Sequence, residues 1–150
     1  MIAPILKNAG YKRKGATWRQ ETNETVAVVN LQMSPYGGIL FYINLGVYVK
    51  ALGSIPEPLE RHCQFRTRVE ALMKDRQRAL AVFDLSNQSI TQAERDEELK
   101  LAVQTLALPF LQNCATVTGL HDLLIKNPKL RHGAVMKLLD HLGIPNTRDW

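Results

Sequence analysis

Residues 25–50 read TVAVVNLQMSPYGGILFYINLGVYVK, two long alternating runs that meet at Ser34, Pro35, Tyr36, Gly37 and Gly38. Turn formers between β-rich runs are a hairpin signal. In the second run Ile39, Phe41, Ile43, Leu45, Val47 and Val49 are all apolar, with Leu40, Tyr42, Asn44, Gly46, Tyr48 and Lys50 between them. Successive side chains of a strand point to opposite faces, so the odd set defines one buried face. In the first run Ala27, Val29, Leu31 and Met33 make the matching apolar set, opposite Val26, Val28, Asn30 and Gln32. A one-residue slip would set apolar against polar on both faces. Odd must therefore pair with odd, which needs a loop of odd length. The simplest is residues 34–38, which places Leu31 opposite Phe41 and Asn30 close to Tyr42. The same register gathers Asn30, Gln32, Tyr42 and Asn44 on the second face. That face is polar, and it is the feature a function must explain.

Working outward, a chain of 150 residues suits one domain over 1–150 with a sizeable core. Its 45% apolar and 22% charged residues are ordinary for a globular chain. A net charge of +5 and a pI near 9.4 favour an acidic partner but say nothing of fold. Cys63 and Cys114 are too few for a disulfide scaffold and have no metal-ligand spacing. Buried free thiols in a reducing cytosol are the expected reading. The opening Met1-Ile2-Ala3-Pro4-Ile5-Leu6 stops at Lys7 and is too short for a secretory signal, and no run reaches membrane-spanning length. A cytoplasmic location without membrane contact is expected.

Residues 2–9 fit one or two helical turns ending at Gly10. Tyr11-Lys12-Arg13-Lys14-Gly15 reads as a basic turn, either a solvated one or a contact for an acidic partner. Residues 16–21 read as a short strand with Trp18 inward. Residues 51–61 carry Gly53, Pro56 and Pro58 and read as loop. His62, Gln64, Arg66 and Arg68 then alternate with Cys63, Phe65, Thr67 and Val69. As a strand of the same sheet, this run extends the polar face. Residues 70–88 stay open between strand and helix, since short apolar runs are not resolved by periodicity.

Helices follow. Thr91-Gln92-Ala93-Glu94 is a capping box, and Leu99, Val103, Leu106 and Phe110 form a stripe at helical spacing. Pro109 should kink or interrupt this helix near its end. A second helix is expected over residues 117–126, stopped by Asn127-Pro128. In a third, Val135, Leu138, Leu139 and Leu142 share a face before Gly143 and Pro145 end it. Strands first and helices last imply an α+β fold: an antiparallel sheet of about four strands in the N-terminal half, packed on one face by about three C-terminal helices.

Three motifs carry a family resemblance: Gly10-Tyr11-Lys12-Arg13-Lys14-Gly15, Val29-Asn30-Leu31-Gln32-Met33-Ser34 and the run from Phe41-Tyr42-Ile43-Asn44 through Leu45-Gly46-Val47-Tyr48. They resemble the bacterial domain-of-unknown-function 4304 family, with its "G-[FY]-K-R-K-G" turn and "F-Y-[IV]-N-L-G-V" strand. Phe65-Arg66-Thr67-Arg68-Val69 and Leu108-Pro109-Phe110-Leu111 are similar to later parts of its pattern. The resemblance spans roughly residues 5–125 and implies no known activity, cofactor or catalytic residue. The resemblance implies a fuller helix before the basic turn than residues 2–9 supply.

Catalytic chemistry finds little footing. His62, His121, His132 and His141 form no i, i+4 pair, so there is no zinc motif, and no metal or other cofactor is expected. Ser34, Ser54, Ser86 and Ser89 lie in no G-x-S-x-G context, and the acidic cluster at residues 94–98 is a helix start. The chain reads more as a binder than as an enzyme. Its candidate binding residues are Asn30, Gln32, Tyr42, Asn44, Gln64, Arg66 and Arg68, with Lys12, Arg13 and Lys14 of the basic turn. A face of Tyr, Arg and amides has the composition of a recognition surface. The expected partner is a protein or another acidic macromolecule, as for a partner-neutralising immunity protein. The alternative is single-stranded nucleic acid, bound by Lys12, Arg13, Lys14, Arg19, Arg66 and Arg68 with Tyr36, Tyr42 and Tyr48 as stacking groups. A merely solvated face is the competing structural reading. The sequence leaves the oligomeric state open.

Overall fold

The computed structural model describes residues 2–35 and 39–145. Five strands run antiparallel in chain order: β1 (Lys12–Lys14), β2 (Thr17–Glu21), β3 (Thr25–Met33), β4 (Phe41–Val49) and β5 (Phe65–Arg68). Order in space follows order in sequence, with short connections as far as β4 and a longer one over residues 50–64 to β5. The helices are α1 (Ala3–Asn8), α2 (Val69–Leu72), α3 (Arg76–Val82), α4 (Gln92–Ala102), α5 (Leu108–Asn113), α6 (Val117–Lys126) and α7 (Met136–Leu142). The α+β class holds, with one strand more than expected. The extra strand is β1: the basic segment is not a turn but a ladder partner of β2, and the chain reverses at Gly15 with φ near +63°.

Odd pairs with odd in the β3–β4 hairpin, but Leu31 lies opposite Ile43 and Met33 opposite Phe41. The expected Leu31–Phe41 and Asn30–Tyr42 pairs are thus displaced by two residues; Asn30 faces Asn44 and Gln32 faces Tyr42. Ser34 N–H donates to the Leu40 carbonyl (2.8 Å), so the ladder runs one step further before the chain turns. Moving the loop by one residue preserves parity and shifts every pair by two. Tyr36, Gly37 and Gly38 of the expected turn lie outside the described residues.

The odd face joins the helices in one core, from Trp18, Val29, Leu45 and Phe65 to Leu99, Leu111, Leu120 and Leu138. Thr25 Oγ1 and Thr22 Oγ1 donate to the carbonyls of Cys114 and Ala115 (2.9 and 2.7 Å) and fasten the sheet to the end of α5. The cover stops short of the hairpin tip. Leu31 and Met33, expected inside, are 36% and 50% exposed.

The capping box forms as expected, with Thr91 Oγ1 accepting from Glu94 N–H and Glu94 Oε1 from Thr91 N–H. Between α4 and α5, residues Val103–Ala107 form a π-helical turn. Pro109 has no N–H and its ring would strike the carbonyl four residues back, so widening the turn keeps the helix continuous where a kink or interruption was expected. Residues 70–88 resolve as α2, α3 and a loop. Buried Arg95 pins that loop by donating to the carbonyls of Val82, Asp84 and Asn87 (3.0–3.1 Å). Gly143, in the left-handed region at φ +70°, closes α7.

Candidate binding site

The second face of the sheet divides in two. Near the hairpin ends remote from the turn, Val26, Val28 and Tyr48 are apolar and form a small core with Cys63. Residues 50–63 cross over them. Gly46 permits this close crossing, since a Cβ there would stand 2.7 Å from Cys63 Sγ. Tyr48 is buried, and its hydroxyl accepts from Ile55 N–H (3.0 Å). Cations of the face tie the crossing segment down. Lys14 pairs with Glu57 (3.2 Å), Arg19 Nε donates to the Pro58 carbonyl (2.7 Å), and Arg66 makes a two-pronged pair with Glu60 (2.7 and 2.9 Å). The Glu60 bonds hold the Arg66 guanidinium above its ordinary pKa, and burial pushes the Cys63 thiol up to about 12.

The other half stays polar. Lys14, Thr17, Asn30, Asn44 and Arg68 pair in register across all five strands and make one straight row. Asn44 is its junction and is only 4% exposed. Its Nδ2 donates to Asn30 Oδ1 (3.2 Å) and Gln32 Oε1 (2.8 Å), and its Oδ1 accepts from Arg68 Nε (3.1 Å). Asn30 Nδ2 in turn donates to Thr17 Oγ1 and the Ala16 carbonyl (3.2 and 3.3 Å). Arg68 stacks its guanidinium 4.0 Å from the Tyr42 ring centroid. It is therefore held at one nitrogen and one face, while its two Nη groups have no hydrogen-bond partner among the described residues.

Arg68 stands in the wall of an open cleft of about 580 Å³ with Tyr42, Asn44, Arg66, Glu70 and Arg76. Phe83 and Leu80 form its apolar side. Arg76 makes no hydrogen bond or ion pair among the described residues. Glu70 Oε1 is buried without a hydrogen-bond partner among the described residues. Burial raises its carboxyl above the ordinary glutamate value of 4.5, and Arg68 and Arg76 oppose that rise.

Of the sequence candidates, Gln32, Tyr42, Asn44, Arg66 and Arg68 line this cleft, and Asn30 supports it from behind. Gln64 does not join them. It is buried just before β5, where its amide accepts from Val49 N–H (2.7 Å) and donates to the Val49 carbonyl (3.4 Å), prolonging the ladder with a side chain. The basic segment is split by strand alternation. Lys12 and Lys14 lie on the polar face toward its far edge, while Arg13 lies on the other and stacks over Trp18 at 4.8 Å. Glu60, Glu70 and Arg76 were not among the candidates. One signal could have found Glu70: the alternation Arg66, Arg68, Glu70 continues past the strand.

Among the described residues no three His, Cys, Asp or Glu side chains gather as metal ligands, and no helix is long and apolar enough to cross a membrane. The architecture is thus an α+β unit whose antiparallel sheet presents a polar, arginine-lined cleft. Over residues 2–113 the chain matches the family described as domain of unknown function (DUF4304), and it belongs to that family. No curated protein and no solved structure matches it.

Proposed function

We propose that the chain is a non-enzymatic cytoplasmic binding protein that holds an acidic segment of a partner protein in the Arg68 cleft. One observation carries this reading: the Arg68 guanidinium is fixed by Asn44 and Tyr42 before any partner arrives, with both Nη groups unspent among the described residues. A pre-oriented guanidinium matches a carboxylate in two-point geometry and loses little freedom on binding. Arg76, without a hydrogen bond or ion pair among the described residues, adds a second cation, and Phe83 and Leu80 supply apolar contact beside it. A partner-neutralising protein of the immunity type is one form such a binder takes. Single-stranded nucleic acid is the second reading. It is weaker because stacking needs several open rings, whereas Tyr48 is buried and Tyr42 already lies against Arg68.

The test is an NMR titration of the labelled chain with a glutamate-bearing peptide and, separately, with an oligothymidylate of equal charge. The peptide should shift Tyr42, Arg68 and Arg76, and Arg68→Ala should weaken it roughly tenfold, as expected for a charged hydrogen-bonded contact. Tighter binding of the oligothymidylate, or peptide shifts confined to Lys12 and Lys14, would refute the reading.

A further inference from the structure

Anion binding leaves one group in the cleft unexplained. Glu70 Oε1 is buried and has no hydrogen-bond partner among the described residues, although three arginines line the same walls. Each arginine is otherwise disposed. Arg66 is engaged by both oxygens of Glu60, Arg68 is turned toward Asn44 and Tyr42, and Arg76 acts on Glu70 through space without bonding it. Buried polar atoms are nearly always satisfied, and a carboxylate oxygen left bare is costly. A purely anionic occupant would worsen matters, since it would bring a like charge toward Glu70. A donor on the occupant would relieve them.

Resting on the acidic-partner reading above, we infer that the cleft takes an amphoteric segment, with a carboxylate for Arg68 and Arg76 and an adjacent cationic N–H donor for Glu70. In a protein partner this is an aspartate or glutamate beside a lysine or arginine. The burial that raises the Glu70 carboxyl points the same way, because a cation brought beside it would restore the charged form. Arg68 and Arg76 and the Glu60–Arg66 pair are the other charged groups lining this cleft.

Three Gly/Ser peptides of equal length test this, carrying a Glu-Lys, a Glu-Gln or a Gln-Lys pair, titrated near neutral pH into the wild type and Glu70→Gln. The wild type should bind Glu-Lys about tenfold more tightly than Glu-Gln, the range expected of a charged hydrogen bond. In Glu70→Gln that preference should fall below about twofold, with Glu-Gln bound at least as well as by the wild type, because a repulsion has gone. Equal binding of Glu-Lys and Glu-Gln by the wild type, a preference for Glu-Gln, or a preference that survives in Glu70→Gln each overturns the inference. A Glu-Gln preference would mean that Glu70 is protonated and donates to the anion itself. If the variant fails to fold, the wild-type preference alone decides. Should no peptide move the cleft resonances, the acidic-partner reading falls as well; binding without preference removes only the amphoteric one.

Discussion

Asn44→Ala tests whether Arg68 is held in place or merely rests nearby. The substitution removes three hydrogen bonds: two donated by Nδ2 to Asn30 and Gln32, and one accepted by Oδ1 from Arg68. Each bond of this kind contributes about 0.5–1.5 kcal/mol net. The partners are not equally placed. Gln32 and Arg68 are exposed, so water replaces the lost partner and their shares lie at the low end. Asn30 is half-buried and keeps Thr17 and Ala16, so its freed oxygen is the costlier loss. Together these give about 2 kcal/mol. Arg68→Ala loses the same bond and its stacking on Tyr42, for about 1 kcal/mol at an exposed site. Because the two changes share one bond, they should be non-additive by roughly 0.5–1 kcal/mol. Urea melts of the wild type, both single variants and the double variant measure all three quantities, provided the m-value is unchanged. A loss below about 0.5 kcal/mol for Asn44→Ala, with no coupling to Arg68, would refute the reasoning. The guanidinium would then be free, and the argument for a preformed site would go with it.

Two further outcomes follow from burial. Leu138 is fully buried on α7, so Leu138→Ala should cost about 2–4 kcal/mol in urea melts, and a loss under about 1 kcal/mol would make that helix peripheral. Glu70 holds its proton to a higher pH in the folded chain than in the unfolded one, so its contribution to stability falls as pH rises from about 4.5 through the raised value. Glu70→Gln should therefore be more stable than the wild type near pH 7 and match it near pH 4; an equal difference at both would refute this.

The hairpin is legible because Ile43, Leu45, Val47 and Val49 leave one parity that keeps the amides off the face packed on the helices. Its absolute register is not. Loops over residues 34–38 and 35–39 satisfy the same parity, and the choice depends on turn geometry and on the Leu40–Asp84 bridge to the loop after α3. That bridge is a contact between distant segments which local pattern cannot supply. Residues 70–88 stay open for a related reason: α2 has four residues and α3 has seven, too short for periodicity to separate from a strand. Glu70 and Arg76 lie there and escape notice with them.

What can be read of the site is the row Asn30, Asn44, Arg68, because strand parity alone puts these side chains on one face. What cannot be read is where that face closes. Val26, Val28 and Tyr48 share its parity but are apolar, and an apolar end on a polar face needs a cover. The proline-bearing segment 50–63 is the nearest chain able to provide one. It is held by Lys14, Arg19 and Arg66, three cations that composition alone would have assigned to a partner. Once these are spent on the cover, the cations left for recognition are those beyond its edge. That is why Arg68 and Arg76, and not the more conspicuous basic segment at residues 12–14, define the place where a partner's charge should be sought.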